Sequence, residues 1–338
     1  MISSFLQRLT RRREPLPAPP SAPLPEMEYV TLGRTGLRVS VAGLGSGGHS
    51  QLGLKTGKGR DSAIAIVRQA IDWGVNLLDT AEAYGSESVI GQAIRETPRD
   101  RLVLSTKKQP LDDRGRVITP QTLKRSLWRS LKALNTSYVD IYHLHGVKPQ
   151  HYDRVVESLM PTLLQLRDWG DIRAIGVTES FTKDPSHAML ARALEDDGWD
   201  VVMAGFNCLN QTARREVFPK AATAGAGVMG MFAVRNALRN PQKLAAAVEV
   251  LQRDGAIAPD VTSEQVLALL DRADVRSLTD LAYRYCRHQP GIDTVMFGTG
   301  CFDHLHQNIA SLLRPALPEE VVAYLDRAFA AVDAFTGN

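Results

Sequence analysis

The sequence predicts an α/β protein, a (β/α)8 TIM barrel with an N-terminal β-hairpin and an extra C-terminal helix. Short apolar runs alternate with amphipathic helical patterns, which is typical of parallel strands covered by helices. Eight such runs occur, and eight strands favour a closed barrel over an open sheet. The runs are VAGLG, VNLLDT, RLVLSTK, VDIYHLH, IRAIGVT, DVVMAGFN, GVMGMFAV and DTVMFGTG.

The elements around these strands are also visible in the sequence. EYVTLGRTGLRVS, residues 28–40, predicts a hairpin because two short alternating runs flank GRTG. SAIAIVRQAIDWG predicts a helix that ends at Gly74, and PEEVVAYLDRAFAAV predicts the extra helix after the barrel. An open doubly wound sheet is the alternative. However, GLGSGG at residues 43–48 lacks the G-x-G-x-x-G spacing of such sheets, and no helix follows it at once.

The composition argues against several classes of protein. The 338 residues are 44% hydrophobic, and 40 basic against 37 acidic residues give a formal charge of +3, too weak to indicate a nucleic-acid partner. Cys208, Cys286 and Cys301 lack metal-type spacing and are odd in number, so we expect a reducing compartment. No run approaches the ~20 apolar residues of a membrane span. We therefore expect a cytoplasmic protein, whose oligomeric state the sequence does not indicate.

Two segments differ from the barrel pattern. Residues 1–26 are first basic and then proline-rich, which predicts a disordered tail before a single barrel domain over residues 27–338. Residues 236–276, after the seventh barrel strand, are much longer than the usual ~2 to 6 residues of a βα loop. They carry two helical patterns, KLAAAVEVLQRDG and SEQVLALLDRA, the second with Ser263 as a predicted N-cap. The pair is either packed on the outside of the barrel or a lid over its mouth.

Four polar residues stand at the carboxyl ends of three successive strands. Asp79 ends the second barrel strand, with Tyr84 in the following loop; Lys107 ends the third strand and His145 the fourth. These strand ends meet at one mouth of a barrel. A tyrosine with a pKa of about 10 is a weak acid near neutrality, and a nearby lysine held by an aspartate would lower that pKa. With a neutral histidine to orient the substrate oxygen, the set predicts proton donation to a carbonyl.

At these residues the sequence resembles the aldo-keto reductase family. The matching stretches are LGRTGLRVS, LLDTAEAYG, LSTKK, DIYHLHG, IRAIGVTES and FGTGCFDHLHQNIA, in order from about residue 28 to 313. The resemblance implies an oxidoreductase that transfers a hydride from a nicotinamide cofactor to an aldehyde or ketone, and reversibly oxidises alcohols. It implies Tyr84 as the proton donor, Asp79 and Lys107 as the pair that sets its pKa, and His145 as the orienting group.

The resemblance also indicates where the nicotinamide would bind. The family usually holds its carboxamide with a Ser-Asn pair after the fifth strand and a Gln in the sixth. This sequence has Thr178, Glu179 and Met203 there. A hydroxyl can still form the hydrogen bond, an ionised carboxylate can only accept one, and a thioether offers little. The aromatic ring that often stacks on the nicotinamide is replaced by Met231, with Phe232 beside it.

The adenosine end of the predicted site keeps the frame of the family. Gly298, Thr299 and Asn308 stand where phosphate- and adenine-binding groups are expected. His304 stands where an arginine often binds the 2′-phosphate. The resemblance implies NADP(H) as the cofactor. Because histidine is mostly neutral near pH 7, whereas arginine is always charged, NAD(H) stays the alternative.

Two other functions remain open from the sequence. His143 and His145 lie two apart on a strand and could bind zinc in a metal-dependent hydrolase, but no third ligand completes the set, so no metal site is predicted. A barrel of this family could also bind the dinucleotide without catalysis and act as a regulatory or interaction subunit. The complete set of four catalytic residues favours an enzyme that acts on a small carbonyl or alcohol.

Overall fold

A computed structural model describes residues 23–272 and 274–338 of the chain. Eight parallel strands within them close into a barrel, as predicted, in the order β10-β3-β4-β5-β6-β7-β8-β9. The strands are β1 (Tyr29–Thr31), β2 (Arg38–Ser40), β3 (Ala42–Gly45), β4 (Leu77–Asp79), β5 (Val103–Lys108), β6 (Val139–Val147), β7 (Ile172–Glu179), β8 (Val201–Gly205), β9 (Gly227–Met231) and β10 (Thr294–Phe297).

Helices surround the barrel, and their buried faces form a core against the outside of the strands. The helices of the described residues are α1 (Arg60–Asp72), α2 (Glu87–Ala93), α3 (Pro120–Leu134), α4 (Tyr152–Asp168), α5 (Ala188–Ala193), α6 (Ala213–Glu216), α7 (Phe218–Ala224), α8 (Pro241–Arg253), α9 (Ser263–Arg272), α10 (Leu278–Arg287), α11 (Phe302–Leu312) and α12 (Glu319–Ala328). The extra C-terminal helix is confirmed as α12. None of these helices combines the length and the apolar character that crossing a membrane requires.

The predicted hairpin closes the amino-terminal end of the barrel. β1 pairs with β2 in antiparallel register, and Leu32, Leu37 and Val39 pack into the barrel interior. Gly33, between the two strands, has a φ of +48°, and a Cβ there would lie 2.2 Å from the backbone nitrogen of Gly227. Only glycine allows this close approach. The carboxyl ends of the strands therefore form the open mouth of the barrel.

The long segment after β9 forms two helices, as predicted. α8 and α9 pack against each other, and contacts also join α8 to the turn Asn236–Leu238 and α9 to α10. The hydroxyl of Tyr324 donates to Oε1 of Gln265 at 2.9 Å, which links α9 to α12. The N-cap prediction was wrong by one residue, because Thr262 accepts from the backbone N–H of Gln265 and Ser263 begins the helix.

The predicted tail, residues 1–26, lies outside the described residues except for its last four. Of these, Leu24 is partly buried and packs against the core. The folded domain therefore begins slightly before the predicted boundary at residue 27.

Asp140 joins three strands on the outer side of the barrel. Its buried carboxylate accepts from the backbone N–H of Leu104 at 2.9 Å and from the guanidinium of Arg99 at 2.6 Å. It also forms an ion pair with Arg173 of β7 at 3.1 Å. Since Asp140 is in β6 and Leu104 in β5, one carboxylate fixes the relative position of β5, β6 and β7. These strands carry Lys107, His145 and Thr178 at their other ends.

We expect Asp140→Ala to lower the free energy of unfolding by roughly 3 kcal/mol, because it leaves a buried N–H and a partly buried guanidinium without a partner. Asp153→Ala is the matched control. Its side chain is 80% exposed and pairs with Arg192 at 3.3 Å, so the change should stay below about 1 kcal/mol. Urea unfolding measures both variants, and equal losses of stability would contradict the role given to Asp140.

Candidate active site

The four predicted catalytic residues come together at the mouth of the barrel. Asp79 is the last residue of β4, Lys107 lies near the end of β5, and His145 lies near the end of β6. Tyr84 closes the short 3-10 turn Glu82–Tyr84 after β4. The hydroxyl of Tyr84 lies 3.3 Å from Nε2 of His145, and the two rings meet edge to face. A carbonyl oxygen near both groups could accept hydrogen bonds from each of them.

Lys107 and Asp79 form a buried ion pair below Tyr84. Nζ of Lys107 donates to both carboxylate oxygens of Asp79 at 2.5 Å and to the backbone carbonyl of Thr80 at 2.9 Å. The hydroxyl of Ser105 donates to Oδ1 of Asp79 at 2.7 Å. An ammonium group has three protons, and these acceptors use all three. Lys107 therefore acts on Tyr84 as a nearby charge, 5.4 Å from the centre of its ring, and not through a hydrogen bond.

The pKa of Tyr84 differs from the sequence expectation. Burial raises the pKa of the Tyr84 phenol above 10.0, the charge of Lys107 lowers it, and the charge of Asp79 raises it. The expected effect of the lysine is present, but burial outweighs it, so the prediction of a lowered pKa was wrong for the protein without cofactor or substrate. The physical reason is that a phenolate in the mouth loses the stabilisation that water would give it. The attraction of Lys107, whose charge Asp79 largely neutralises, is too weak to compensate for this loss. Tyr84 consequently holds its proton at neutral pH.

The histidine beside Tyr84 is neutral, as predicted. Burial and then the charge of Lys107 lower the pKa of His145 to about 3. His143 lies deeper in the barrel, where the same two causes hold its pKa well below the ordinary value. A Cβ at Gly176 would come within 2.2 Å of Nδ1 of His143, so this glycine makes room for the buried ring. Both imidazoles therefore carry no charge near pH 7.

The geometry does not favour the metal alternative. Within residues 23–272 and 274–338, no group of three or more His, Cys, Asp or Glu side chains is arranged to hold a metal ion. Lys107 is the cross-strand partner of His143 in the barrel. The charge of Lys107 also lowers the pKa of both histidines, so it would repel a divalent cation bound between them.

Gly47 is a site residue that the sequence analysis missed. A Cβ at this position would lie 2.6 Å from two ring carbons of Tyr84, so any larger residue would displace the tyrosine. The loop that carries Gly47 is fixed to β4, because the N–H and the hydroxyl of Ser46 both donate to the carbonyl of Asp79. The glycine-rich stretch 43–48 was visible in the sequence. The contact of Gly47 with Tyr84 was not visible there, because the two residues are far apart along the chain.

Two residues of the predicted nicotinamide end line the barrel interior. Oγ1 of Thr178 accepts from the backbone N–H of Gly146 at 2.8 Å, which fixes the hydroxyl beside the end of β6. Met203 is the cross-strand partner of Thr178 and is only 4% exposed, among apolar side chains of the interior. Thr178 thus keeps a polar group near the mouth, whereas Met203 contributes apolar packing.

Glu179 has partners that the sequence did not predict. Its carboxylate accepts from the backbone N–H of Gly205 at 2.7 Å and lies 2.8 Å from Nδ1 of His187. Both side chains of this pair are fully buried, and burial raises the pKa of Glu179. The carboxylate therefore links the ends of β7 and β8 to the start of α5. Its use toward a cofactor stays a prediction.

Three stacked rings lie beside this pair. Phe181 stacks on His187 on one side, with ring centres 5.3 Å apart, and on Phe232 on the other, at 5.9 Å. The ring of Phe181 fills the space that a Cβ of Gly205 would occupy. Phe232 has a φ of +68°, which is costly for an aromatic residue, and Met231 packs beside the apolar interior. Phe181 was not predicted, since a lone phenylalanine in a loop gives no signal of its neighbours.

Arg235 continues the stack and was also missed. Its guanidinium lies 4.2 Å from the centre of the Phe232 ring. The Cβ and Cγ atoms of the same side chain lie next to Gly337, near the C-terminus. In the described part of the chain, its buried Nε and Nη2 atoms have no hydrogen-bond partner. Burial lowers the pKa of this guanidinium. Because a buried cation without an anion is costly, this place at the mouth suits an anionic group of a cofactor or substrate.

The residues predicted for the adenosine end gather at the start of α11. Gly298 and Thr299 follow β10, and Oγ1 of Thr299 accepts from the N–H of Cys301 at 3.1 Å just before the helix begins. His304 and Asn308 are four residues apart on α11 and share one face of it. His304 is exposed and Asn308 is buried. The arrangement offers a helix N-terminus, a hydroxyl and an amide to a phosphorylated adenosine.

Comparison with known proteins agrees with this geometry. The chain matches the Aldo/keto reductase family over residues 43–330. It is 26% identical over 300 residues to an L-galactose dehydrogenase from Arabidopsis thaliana, covering 85% of this chain and 88% of that protein. It is 27% identical over 213 residues to an NADH-specific methylglyoxal reductase from Escherichia coli, covering 57% of this chain and 63% of that protein.

A solved structure supports the fold. The holo form of an aldo-keto reductase from Bacillus halodurans superimposes with a TM-score of 0.71 at 24% identity, and the match covers 92% of this chain and 100% of that one. The family match spans most of the chain and includes all four residues at the mouth. The chain therefore belongs to the aldo-keto reductase family and is an oxidoreductase that reduces small carbonyl compounds with a nicotinamide cofactor.

Proposed function

We propose that Tyr84 is the proton donor of this reductase, with Lys107, Asp79 and His145 in the supporting functions predicted from the sequence. The observation that carries the proposal is the 3.3 Å contact between the Tyr84 hydroxyl and a neutral His145, directly beside the buried Lys107–Asp79 pair. A protonated phenol can donate its proton to a carbonyl oxygen, and a neutral imidazole can hold that oxygen by a hydrogen bond.

A nicotinamide held at the mouth would supply the hydride that the carbonyl carbon accepts. At the carbonyl oxygen, Tyr84 donates its proton as negative charge develops, and the product is the alcohol. The tyrosine is left as a phenolate, which the fixed positive charge of Lys107 stabilises. His145 holds the oxygen in place through a hydrogen bond and stays neutral throughout. In the reverse direction the phenolate takes the proton back from the alcohol.

We propose that the cofactor lies across the mouth from the end of β7 to the start of α11. Arg235 fits the pyrophosphate, because this group is the anion between the two ends of the dinucleotide. The nicotinamide would lie near Thr178, Glu179, Met203, Met231 and Phe232. The adenosine would lie near Gly298, Thr299, His304 and Asn308. We propose NADP(H) as the preferred cofactor. The preference over NAD(H) is weak, because His304 lacks the permanent charge of an arginine.

The remaining proposals rest on the sequence. A cytoplasmic location is supported by Cys208 and Cys286, which are buried free thiols. The near-neutral charge supports a small-molecule partner without nucleic acid.

Tyr84→Phe should abolish most turnover and leave cofactor affinity nearly unchanged. The phenyl ring keeps the contact with Gly47 and loses only the hydroxyl, so the defect should appear in kcat. Steady-state kinetics on a carbonyl panel and fluorescence titration of the cofactor measure the two effects. Tyr29→Phe is the control, because that hydroxyl bonds to the carbonyl of Gly74 at the closed end of the barrel. Retention of most kcat by Tyr84→Phe would show that another group donates the proton.

The cofactor proposal predicts two different patterns of affinity. Arg235→Gln should weaken NADPH and NADH by the same factor, about tenfold or more, because both carry the pyrophosphate that a charge-assisted hydrogen bond would hold. His304→Arg should strengthen NADPH more than NADH, because only NADPH has the 2′-phosphate. Arg239→Gln is the control, since this exposed arginine lies four residues further along the chain. Wild-type affinity in Arg235→Gln would remove the pyrophosphate assignment.

We also propose that residues 236–276 act as a lid that excludes water from the hydride transfer. The segment starts directly after Arg235, and the N–H of Ala237 donates to the carbonyl of Gly337 at 2.9 Å, close to the mouth. Replacing residues 241–272 with a short Gly-Ser linker should preserve cofactor binding and lower kcat/KM by different factors for different carbonyls. Equal factors, or none, in a variant that still binds cofactor would show that α8 and α9 are only outer packing.

A further inference from the structure

A polar cleft lies on the outside of the barrel, away from the mouth. It is a surface cleft of about 430 Å³ between α2 and α3, with the first residue of α1 at one end. Gly91 stands where the two helices cross, and a Cβ there would lie 2.3 Å from the backbone carbonyl of Ala133. The helices are therefore in backbone contact at the floor of the cleft. A volume of this size is in the range of small-molecule sites.

The walls of the cleft are positively charged. Four cationic side chains line it, namely Arg60, Arg95, Arg129 and Lys132. Within the described residues, only Arg129 has a carboxylate within 4 Å, that of Glu82 at 3.4 Å. That carboxylate also holds the ammonium of Lys108 at 2.6 Å, so it does not neutralise the cleft. A chain with a formal charge of only +3 thus concentrates four cations around one small cavity.

One of these cations is already oriented by the protein. The guanidinium of Arg60 donates to Oε1 of Gln92 at 3.1 Å and to the hydroxyl and the backbone carbonyl of Ser88 at 3.1 and 2.7 Å. Ser88, Gln92 and Arg95 follow at the spacing of one helix face. Fixing the long Arg60 side chain in advance reduces the entropy that an anionic ligand must overcome on binding.

We propose that this cleft binds a small molecule that carries a phosphate group. Guanidinium groups present planar pairs of N–H donors that match phosphate oxygens, and a lysine adds a point charge. The lining contains no aromatic side chain, whereas sites for single-stranded nucleic acid combine cations with rings that stack on bases. The cleft is also distinct from the proposed cofactor site, which lies at the carboxyl ends of the strands.

The position of Arg129 connects this cleft to the reaction site. Glu82, its carboxylate partner, belongs to the same 3-10 turn as Tyr84. The hydroxyl of Ser126 donates to the same carboxylate at 2.8 Å. A bound phosphate would compete with Glu82 for Arg129, while Lys108 and Ser126 would keep the turn in place. Binding in the cleft is therefore compatible with an intact catalytic tyrosine.

Calorimetric titration of the full chain tests the proposal without measuring activity. The probes are inorganic phosphate and glucose 6-phosphate, with glucose as the uncharged comparison, at constant ionic strength. We expect both phosphate probes to bind and glucose not to bind. The double variant Arg95→Gln, Lys132→Gln should weaken the phosphate probes at least about tenfold, since two charge-assisted contacts are lost.

Arg125→Gln is the matched control, because Arg125 is an exposed arginine of α3 outside the cleft. It removes one positive charge from the same helix and should leave the affinity of both phosphate probes unchanged. Unchanged affinity in the double variant would place any phosphate binding elsewhere, including the proposed cofactor site, and overturn the proposal. Equal weakening by Arg125→Gln would reduce the effect to net charge and overturn it as well. Neither result bears on Tyr84 as the proton donor.

Discussion

The buried ion pair between Lys107 and Asp79 is the interaction on which the rest of the site depends. Removing two charges from water is costly, and the barrel compensates with short contacts, a hydroxyl from Ser105 and the carbonyl of Thr80. Because the ammonium group donates its three protons to the two carboxylate oxygens and this carbonyl, three hydrogen bonds fix its position. The pair then places a constant positive charge beside Tyr84, and this charge adds to burial in lowering the pKa values of the two histidines of β6.

The same pair explains why Tyr84, the proposed proton donor, keeps its proton at neutral pH. The aspartate largely offsets the lysine, so burial dominates and the pKa of Tyr84 is raised in the protein without ligands. Strong acidity before the reaction would release the proton to water. A protonated donor with a fixed cation behind it can instead transfer the proton when negative charge appears on the substrate oxygen. The positive charge of Lys107 stabilises the negatively charged phenolate more than it stabilises the neutral phenol.

On the other side of the mouth, a column of contacting side chains joins two strand ends to a loop. It runs from Glu179 through His187, Phe181 and Phe232 to Arg235, and joins the ends of β7 and β8 to the loop after β9. Its first member is fixed by a backbone N–H, whereas its last member carries buried donors without a partner in the described residues. The column therefore ends at the guanidinium of Arg235, whose donors could bind an anion on the side of the mouth where the cofactor is proposed to lie.

The sequence predicted the barrel, the hairpin and the meeting of Asp79, Lys107 and His145, because strand ends have a fixed place in a (β/α)8 barrel. It could not predict contacts made by loops. Gly47 supports Tyr84 from a different loop, and Glu179 pairs with a histidine eight residues away, in a backbone conformation that no local pattern indicates. The net pKa of Tyr84 was also beyond sequence reasoning, since burial depends on the complete mouth.

The pKa of Tyr84 is the quantity that tests this account most directly. Carbon-13 NMR of tyrosine labelled at Cζ can follow its ionisation, with Tyr84→Phe to assign the signal. The account predicts ionisation above pH 10.0 in the free protein, and a further rise in Lys107→Met, because the only lowering charge is lost and Asp79 stays unpaired. An ionisation below pH 10.0, or one that does not move in Lys107→Met, would contradict the central place of the ion pair.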